Sequence, residues 1–411
     1  MRRRLVHGAV NESAIHVDVA LVGGGVASLW LACLARNRGL SVVVIAPEPL
    51  GGEQTMASQG IIHGGAKYSL HGRAKKVAPG HLAAMPSRWR RCLAGNAVGG
   101  SGDIDLSGVG VLAEHVELRA CTRRAQLRKR AALRLLAGAP STPAQSGGTR
   151  LPDFVVDVDG LIARLVRGIE GCVLPAKVDP EKVRLGDKGV AGIDLAATTV
   201  TAERYVFAAG AGNADLAPRL GFGADATMLR PLHQAWAVVE HTPPTFAHCL
   251  VRAFGTEPDV TVTTHDGGNK TILYLGGHLA TTGVARSADD QVAAAKRTLA
   301  SALPHVDLGS TQFGALHVAR AEPRRSAASR VDDAFLATCG NALLCFPVKL
   351  SLAPRLGDLF LREVAGLKPV VPTRSDAPSG RSAPQGTRVA ARTVVQQGQG
   401  APFELARRPW A

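Results

Sequence analysis

The stretch Val17-Asp18-Val19-Ala20-Leu21-Val22-Gly23-Gly24-Gly25-Val26-Ala27-Ser28 decides the fold. An apolar, β-branched run ends in three glycines. A small-residue segment compatible with helix follows, to Arg38, and then a second apolar run, Leu40-Ser41-Val42-Val43-Val44-Ile45. Strand, glycine turn, helix, strand is the opening of a Rossmann-type domain, so the expected class is α/β. Glycine lets the backbone turn sharply and approach a pyrophosphate closely. The helix start then offers its unpaired N–H groups and positive dipole end to the anion. The pattern predicts that Gly23, Gly24, Gly25, Val26, Ala27 and Ser28 cradle a dinucleotide, with NAD and FAD equally open. Two positions depart from the pattern. Ser28 stands at the third glycine, and Ala46 stands where an acid would grip the ribose, leaving Glu48 as the substitute.

The chain has 411 residues, enough for a large core and more than one subdomain. Its 48 basic against 33 acidic residues give +15, a charge suited to an anionic partner or to a solvated basic surface. Seven cysteines, none in a C-x-x-C pair, imply reduced thiols. Met1-Arg2-Arg3-Arg4 reads as a basic tail rather than a secretory leader, and no apolar run reaches the roughly 20 residues of a spanning helix. A cytoplasmic protein is expected, with peripheral contact on the inner face of the membrane as an extension of that expectation.

Five further stretches carry chemistry. In Ser58-Gln59-Gly60-Ile61-Ile62-His63-Gly64-Gly65-Ala66-Lys67-Tyr68, glycines bracket a short apolar piece, which suits a backbone pressed against a flat ligand. Tyr205-Val206-Phe207-Ala208-Ala209-Gly210 is an apolar strand ending in small residues. His233 lies on a strand beginning near Arg230, and Arg320 follows His317 on another. Phe346-Pro347-Val348-Lys349-Leu350-Ser351 precedes a helix. Between Arg119 and Arg150 the chain is dense in Arg and Ala, and Arg123, Arg124, Arg128, Lys129, Arg130 and Arg134 suit a solvated basic helix.

Three of these blocks, in order and spacing, resemble the FAD-dependent glycerol-3-phosphate dehydrogenases within the D-amino-acid oxidase superfamily: the glycine turn, His63-Gly64-Gly65-x-Lys67-Tyr68, and Lys349-Leu350-Ser351. The resemblance implies FAD as cofactor. It implies an FAD-binding domain interleaved with an α+β substrate domain on an antiparallel sheet. It places Ser58, Gln59, Gly60, Ile61 and Ile62 along the isoalloxazine, Ala209 and Gly210 beside the FAD, and Lys349, Leu350 and Ser351 over its pyrimidine end. It implies hydride transfer to flavin N5 from a small anionic hydroxy or amino substrate. His63 or His233 is then the base, and Lys67, Arg320 and Lys349 hold the anion. Quinone or oxygen is the expected acceptor, and neither a metal nor a nucleic acid is expected. The family's Gly-Thr-Thr-Asp is not reproduced, and Pro347-Val348 replaces its glycines. The competing expectations are a basic flavoprotein serving as an RNA- or membrane-associated binding module, and a degenerate, non-catalytic member.

On this basis residues 1–16 form a basic tail. Residues 17–85, 153–226 and 326–366 build the FAD-binding domain, and 86–152 and 227–325 the substrate domain. Residues 367–411, rich in Pro, Gly, Ser and Gln, are expected to be disordered.

Overall fold

The computed structural model describes residues 13–66, 70, 80–135, 142–144, 147–223, 226–240, 242–324, 333–368 and 403–410. Lys67 and Tyr68, and most of both tails, lie outside the described residues.

The opening pattern folds as its periodicity dictates. Ser13–Val22 is a strand buried from Val17 onward, Val26–Asn37 a helix, and Val42–Ala46 a parallel strand paired to the first through Val19–Val42 to Val22–Ile45. Five parallel strands run side by side: Ala342–Phe346, Thr198–Phe207, Ser13–Val22, Val42–Ala46 and Val173–Pro175. Sequence neighbours lie to one side of the central strand, whereas Thr198–Phe207 arrives on the other from far along the chain. Such a reversal opens a crevice at the carboxyl ends of the strands, where open α/β sheets bind ligands, and Gly23 sits at that point.

The helix Val26–Asn37 packs against the helices Val158–Gly168 and Ala353–Glu363, and Trp30 meets Trp89 at 5.1 Å. Trp89, Ile104, Leu106 and Val109 belong to this same core. Residues from 86 to 109, expected in the substrate part, therefore pack in the nucleotide half. A small sheet, Ile61–Ile62, Phe154–Val156 and Val111–Ala113, adjoins it.

The second layer is an eight-stranded sheet, antiparallel except where Glu117–Ala120 pairs parallel with Ala247–Leu250. Its centre is Leu232–Val239, Thr271–Gly276 and Val260–Asp266. Strand alternation sorts its residues by face. Ala235, Ala237, Val262, Leu273 and Leu275 bury against the helix Ala288–Ala302, whose cap Ser287 accepts from the Asp290 N–H. Gln234, Trp236, Thr261, Thr263 and Tyr274 alternate with them and so face away from that helix.

Candidate active site

At the crevice Gly23 adopts φ +121°, and a Cβ there would lie 2.5 Å from the Ala208 carbonyl oxygen. The glycine thus brings the first turn against the 208–210 turn. Asn213 completes the junction: its Oδ1 accepts from the Ala209 N–H, and Nδ2 donates to the Phe207 carbonyl. The helix Val26–Asn37 has Gly25 as N-cap, with no capping side chain and no acid in its first turn. Its Val26 N–H donates to Thr55 Oγ1 at 3.1 Å. Cβ atoms on Gly24 and Gly25 would meet Leu50 at 3.0 Å and Thr55 at 3.1 Å. The cradle is therefore narrow, free of negative charge and rimmed by N–H groups, which fits a pyrophosphate. Ser28 is fully buried, and its hydroxyl finds no partner among the described residues. Glu48 is exposed just beyond Val42–Ala46.

The segment after Thr55 ties the two halves together. Gln59 Nε2 donates to the carbonyls of Thr261 and Tyr274, each at 3.0 Å. Tyr274 Oη donates to the Ala57 carbonyl at 3.0 Å and to Gln234 Oε1 at 2.6 Å. Ser58 Oγ accepts from the Gly60 N–H. Ile61 and Ile62 then pair with Val155 and Phe154, and the His63 N–H donates to Ser351 Oγ at 2.9 Å. Ser351 is buried, and its carbonyl accepts from Trp89 Nε1 at 2.8 Å.

Ser351 follows a strained turn. The Lys349 N–H donates to the Pro347 carbonyl at 2.6 Å, enclosing Val348 at φ +62°. This is a γ-turn of the strained hand, with a β-branched residue where glycine fits naturally. The replacement of glycine by Pro347-Val348 thus alters the side chains and leaves a glycine-like backbone.

A cleft of about 200 Å³ opens between the loops and the sheet, lined by Gln59, Ile61, His63, Arg320 and Lys349 together with Gln234, His248, Glu257 and Glu322. Arg320 Nε lies 3.1 Å from Glu322 Oε1, and Arg230 approaches the same carboxylate at 3.4 Å. His233, expected as a base, is corrected. Its side chain is 1% exposed, on the face shared with Ala235 and Ala237. Its Nδ1 pairs with the Gly283 carbonyl at 3.0 Å, and its ring stacks on His317 at 3.7 Å. Burial pushes its pKa below the usual histidine value. The alternation that buries His233 turns its neighbour Gln234 into the cleft.

The family model described as FAD dependent oxidoreductase, DAO, matches residues 18–341. The chain belongs to this family. It is an FAD-dependent oxidoreductase, and the glycine cradle fits the cofactor that the family uses. It is 40% identical over 363 residues to the "Probable FAD-dependent oxidoreductase PA4991" of Pseudomonas aeruginosa, covering 84% of this chain and 90% of that protein. The crystal structure of PA4991 superposes with a TM-score of 0.71 over 97% of this chain and 98% of that one, at 33% identity. The fold is also shared with glycine oxidase from Geobacillus kaustophilus (TM-score 0.59, 17% identity, 85% and 94% covered). A third likeness is to the L-alpha-glycerophosphate oxidase of Mycoplasma pneumoniae with FAD bound (TM-score 0.61, 14% identity, 85% and 95% covered).

Sequence reasoning on this oxidoreductase missed three residues. Thr55 sits at the helix start, where its Oγ1 accepts from the Val26 N–H. His248 is buried in the cleft wall with Nδ1 2.9 Å from Thr261 Oγ1. Glu257 lies on the cleft rim and accepts from Thr281 Oγ1 at 2.8 Å. The basic segment 119–134 is also corrected in part. It forms the helix Arg123–Leu135, but Arg128 and Lys129 are buried. Arg128 Nη1 donates to Asp259 at 2.8 Å, and Nη2 donates to the Glu257 carbonyl. Half of the central basic pair thus braces the cleft rim, and the remaining arginines stay outside. No helix among the described residues is long and apolar enough to cross a membrane.

Proposed function

We propose that this FAD-dependent oxidoreductase oxidises a small anionic hydroxy or amino compound in the cleft beside Lys349. The carrying observation is the composition of that cleft: Lys349 and Arg320, the latter paired with Glu322, stand beside the imidazoles of His63 and His248 and the carboxylate of Glu257. Bound FAD supplies a two-electron acceptor at N5 for the substrate hydride. The glycine turn 23–25, Val26, Thr55 and the Ala209–Gly210 turn would hold its phosphate half, with Glu48 near the ribose. Residues 58–62 and 349–351 would hold its ring.

The protein's own groups do the rest. Arg320, oriented by Glu322, and Lys349 bind the substrate anion; a guanidinium suits a carboxylate or phosphate because its planar fork makes paired hydrogen bonds. His63 or His248 takes the hydroxyl or amine proton as the C–H bond is oxidised, since imidazole exchanges protons near neutral pH. Lys67, the other expected anion contact, lies outside the described residues. Quinone or oxygen receives the electrons afterwards.

The test is anaerobic bleaching of the purified yellow protein with a panel of 2-hydroxy acids, glycerol 3-phosphate and amino acids. Bleaching by anionic members, and its loss in Lys349→Ala with flavin still bound, is the expected outcome. Equal bleaching of wild type and Lys349→Ala by the same compound would show that the anion binds elsewhere.

A further inference from the structure

The segment 403–410 lies in the stretch expected to be disordered, yet it is docked across the joint between the two halves. Its backbone pairs with Leu50: the Leu50 N–H donates to the Glu404 carbonyl at 2.9 Å, and the Ala406 N–H donates to the Leu50 carbonyl at 2.8 Å. Arg408 then turns inward and is only 6% exposed. Its Nη1 donates to the Met56 carbonyl at 2.8 Å and to the Ser58 carbonyl at 2.7 Å, and its Nε donates to Asp159 Oδ2 at 2.9 Å. Trp410 closes over the substrate sheet, with its ring 4.7 Å from Tyr274, 5.1 Å from His265 and 6.3 Å from Trp236.

The register of these contacts is specific. Three consecutive carbonyls are held, those of Met56 and Ser58 by Arg408 and that of Ala57 between them by Tyr274 Oη. A buried guanidinium is costly unless its donors are satisfied; here Nε and Nη1 are paired, while the buried Nη2 has no partner among the described residues. His265, beside Trp410, is pushed down to about 3 by burial and then by the charge of Arg408.

We propose that Arg408 is a positioning residue for the cofactor: it fixes residues 56–58, and through them the run 58–62, in the place needed beside the flavin ring. The proposal rests on the assignment of 58–62 to the flavin. Arg408 is not part of the cleft lining, so its effect travels through the two backbone carbonyls it holds. Lysine in its place keeps the charge but loses the two-pronged reach.

Hydrogen–deuterium exchange of the holoenzyme, followed on peptides covering 53–62, is measured together with FAD affinity and the visible circular dichroism of the bound flavin. In Arg408→Ala, exchange across 53–62 rises, the flavin dichroism changes, and FAD binds about tenfold more weakly, the equivalent of one net hydrogen bond. Arg408→Lys lies between alanine and wild type, and it carries the test if the alanine variant does not fold. Unchanged exchange in both variants overturns the positioning role. Raised exchange with unaltered flavin dichroism and affinity overturns the assignment of 58–62 to the flavin, and with it the effect on the cofactor. Bleaching by substrate, measured separately, reports on the Lys349 cleft and is independent of either result.

Discussion

Two turns face the crevice, and they solve the same backbone problem differently. At 23–25 the chain uses glycine, and at 347–349 it holds valine in a conformation that glycine would adopt without strain. The reason lies in the neighbours. A Cβ at residue 23 would be 2.5 Å from the Ala208 oxygen and 2.8 Å from its carbon, atoms of a central strand end that cannot retreat. Val348 is buried instead on the wall of the cleft, where its side chain fills space. Close approach of two backbones admits only glycine; a positive φ alone is a cost of about 1–2 kcal/mol that packing can offset.

The largest expected effect sharpens that comparison at the first turn. Gly23→Ala should abolish FAD retention and destabilise the apoprotein, seen as loss of visible flavin absorbance and a lower Tm. Normal flavin content would mean that the turn has slack. Next, Ser351→Ala removes the acceptor for the His63 N–H at the foot of the second turn. We expect about 1–3 kcal/mol of destabilisation by urea unfolding, because a buried donor is left unpaired. Val348→Gly should destabilise by no more than about 2 kcal/mol, since relief of about 1–2 kcal/mol of left-handed strain offsets part of the lost burial of about 1.5–3 kcal/mol. A loss well above that range would show that the turn stores no strain. The smallest effect is at the first turn again. Ser28→Ala should stabilise by about 0.5–1.5 kcal/mol with FAD affinity unchanged, because it deletes a buried hydroxyl without a partner. A weaker FAD complex would instead give that hydroxyl a role in the cradle.

What could be read before folding was local. The nucleotide-binding half announces itself because strand, glycine turn and helix are adjacent in sequence, and each has its own periodicity. His63, Arg320 and Lys349 also reach one cleft as their motifs suggested. His233 fails for a reason that strand alternation contains: it shares parity with Ala235 and Ala237, and the apolar face is the helix-covered one. His248, on the strand Ala247–Leu250, and Glu257, in the loop after it, carry no local signal; they line the same cleft as His63, which depends on sheet order. Arg128 looked like one more solvated arginine, and only its contact with Asp259 and Glu257, about 130 positions away, buries it.

The sequence by itself determined the class of fold, because glycine turns and apolar runs act over a few residues, and the identity of the cofactor, because three motif blocks keep their order and spacing. The tertiary structure alone decided which histidines face the cleft, that valine holds a glycine conformation at 348, and that residues 403–410 lock the joint. Arg408 lies 352 positions from Met56 along the chain. A bond of that span has no periodicity to betray it. It forms only where residues 56, 58 and 159, distant in sequence, are brought together into a site narrow enough for one guanidinium.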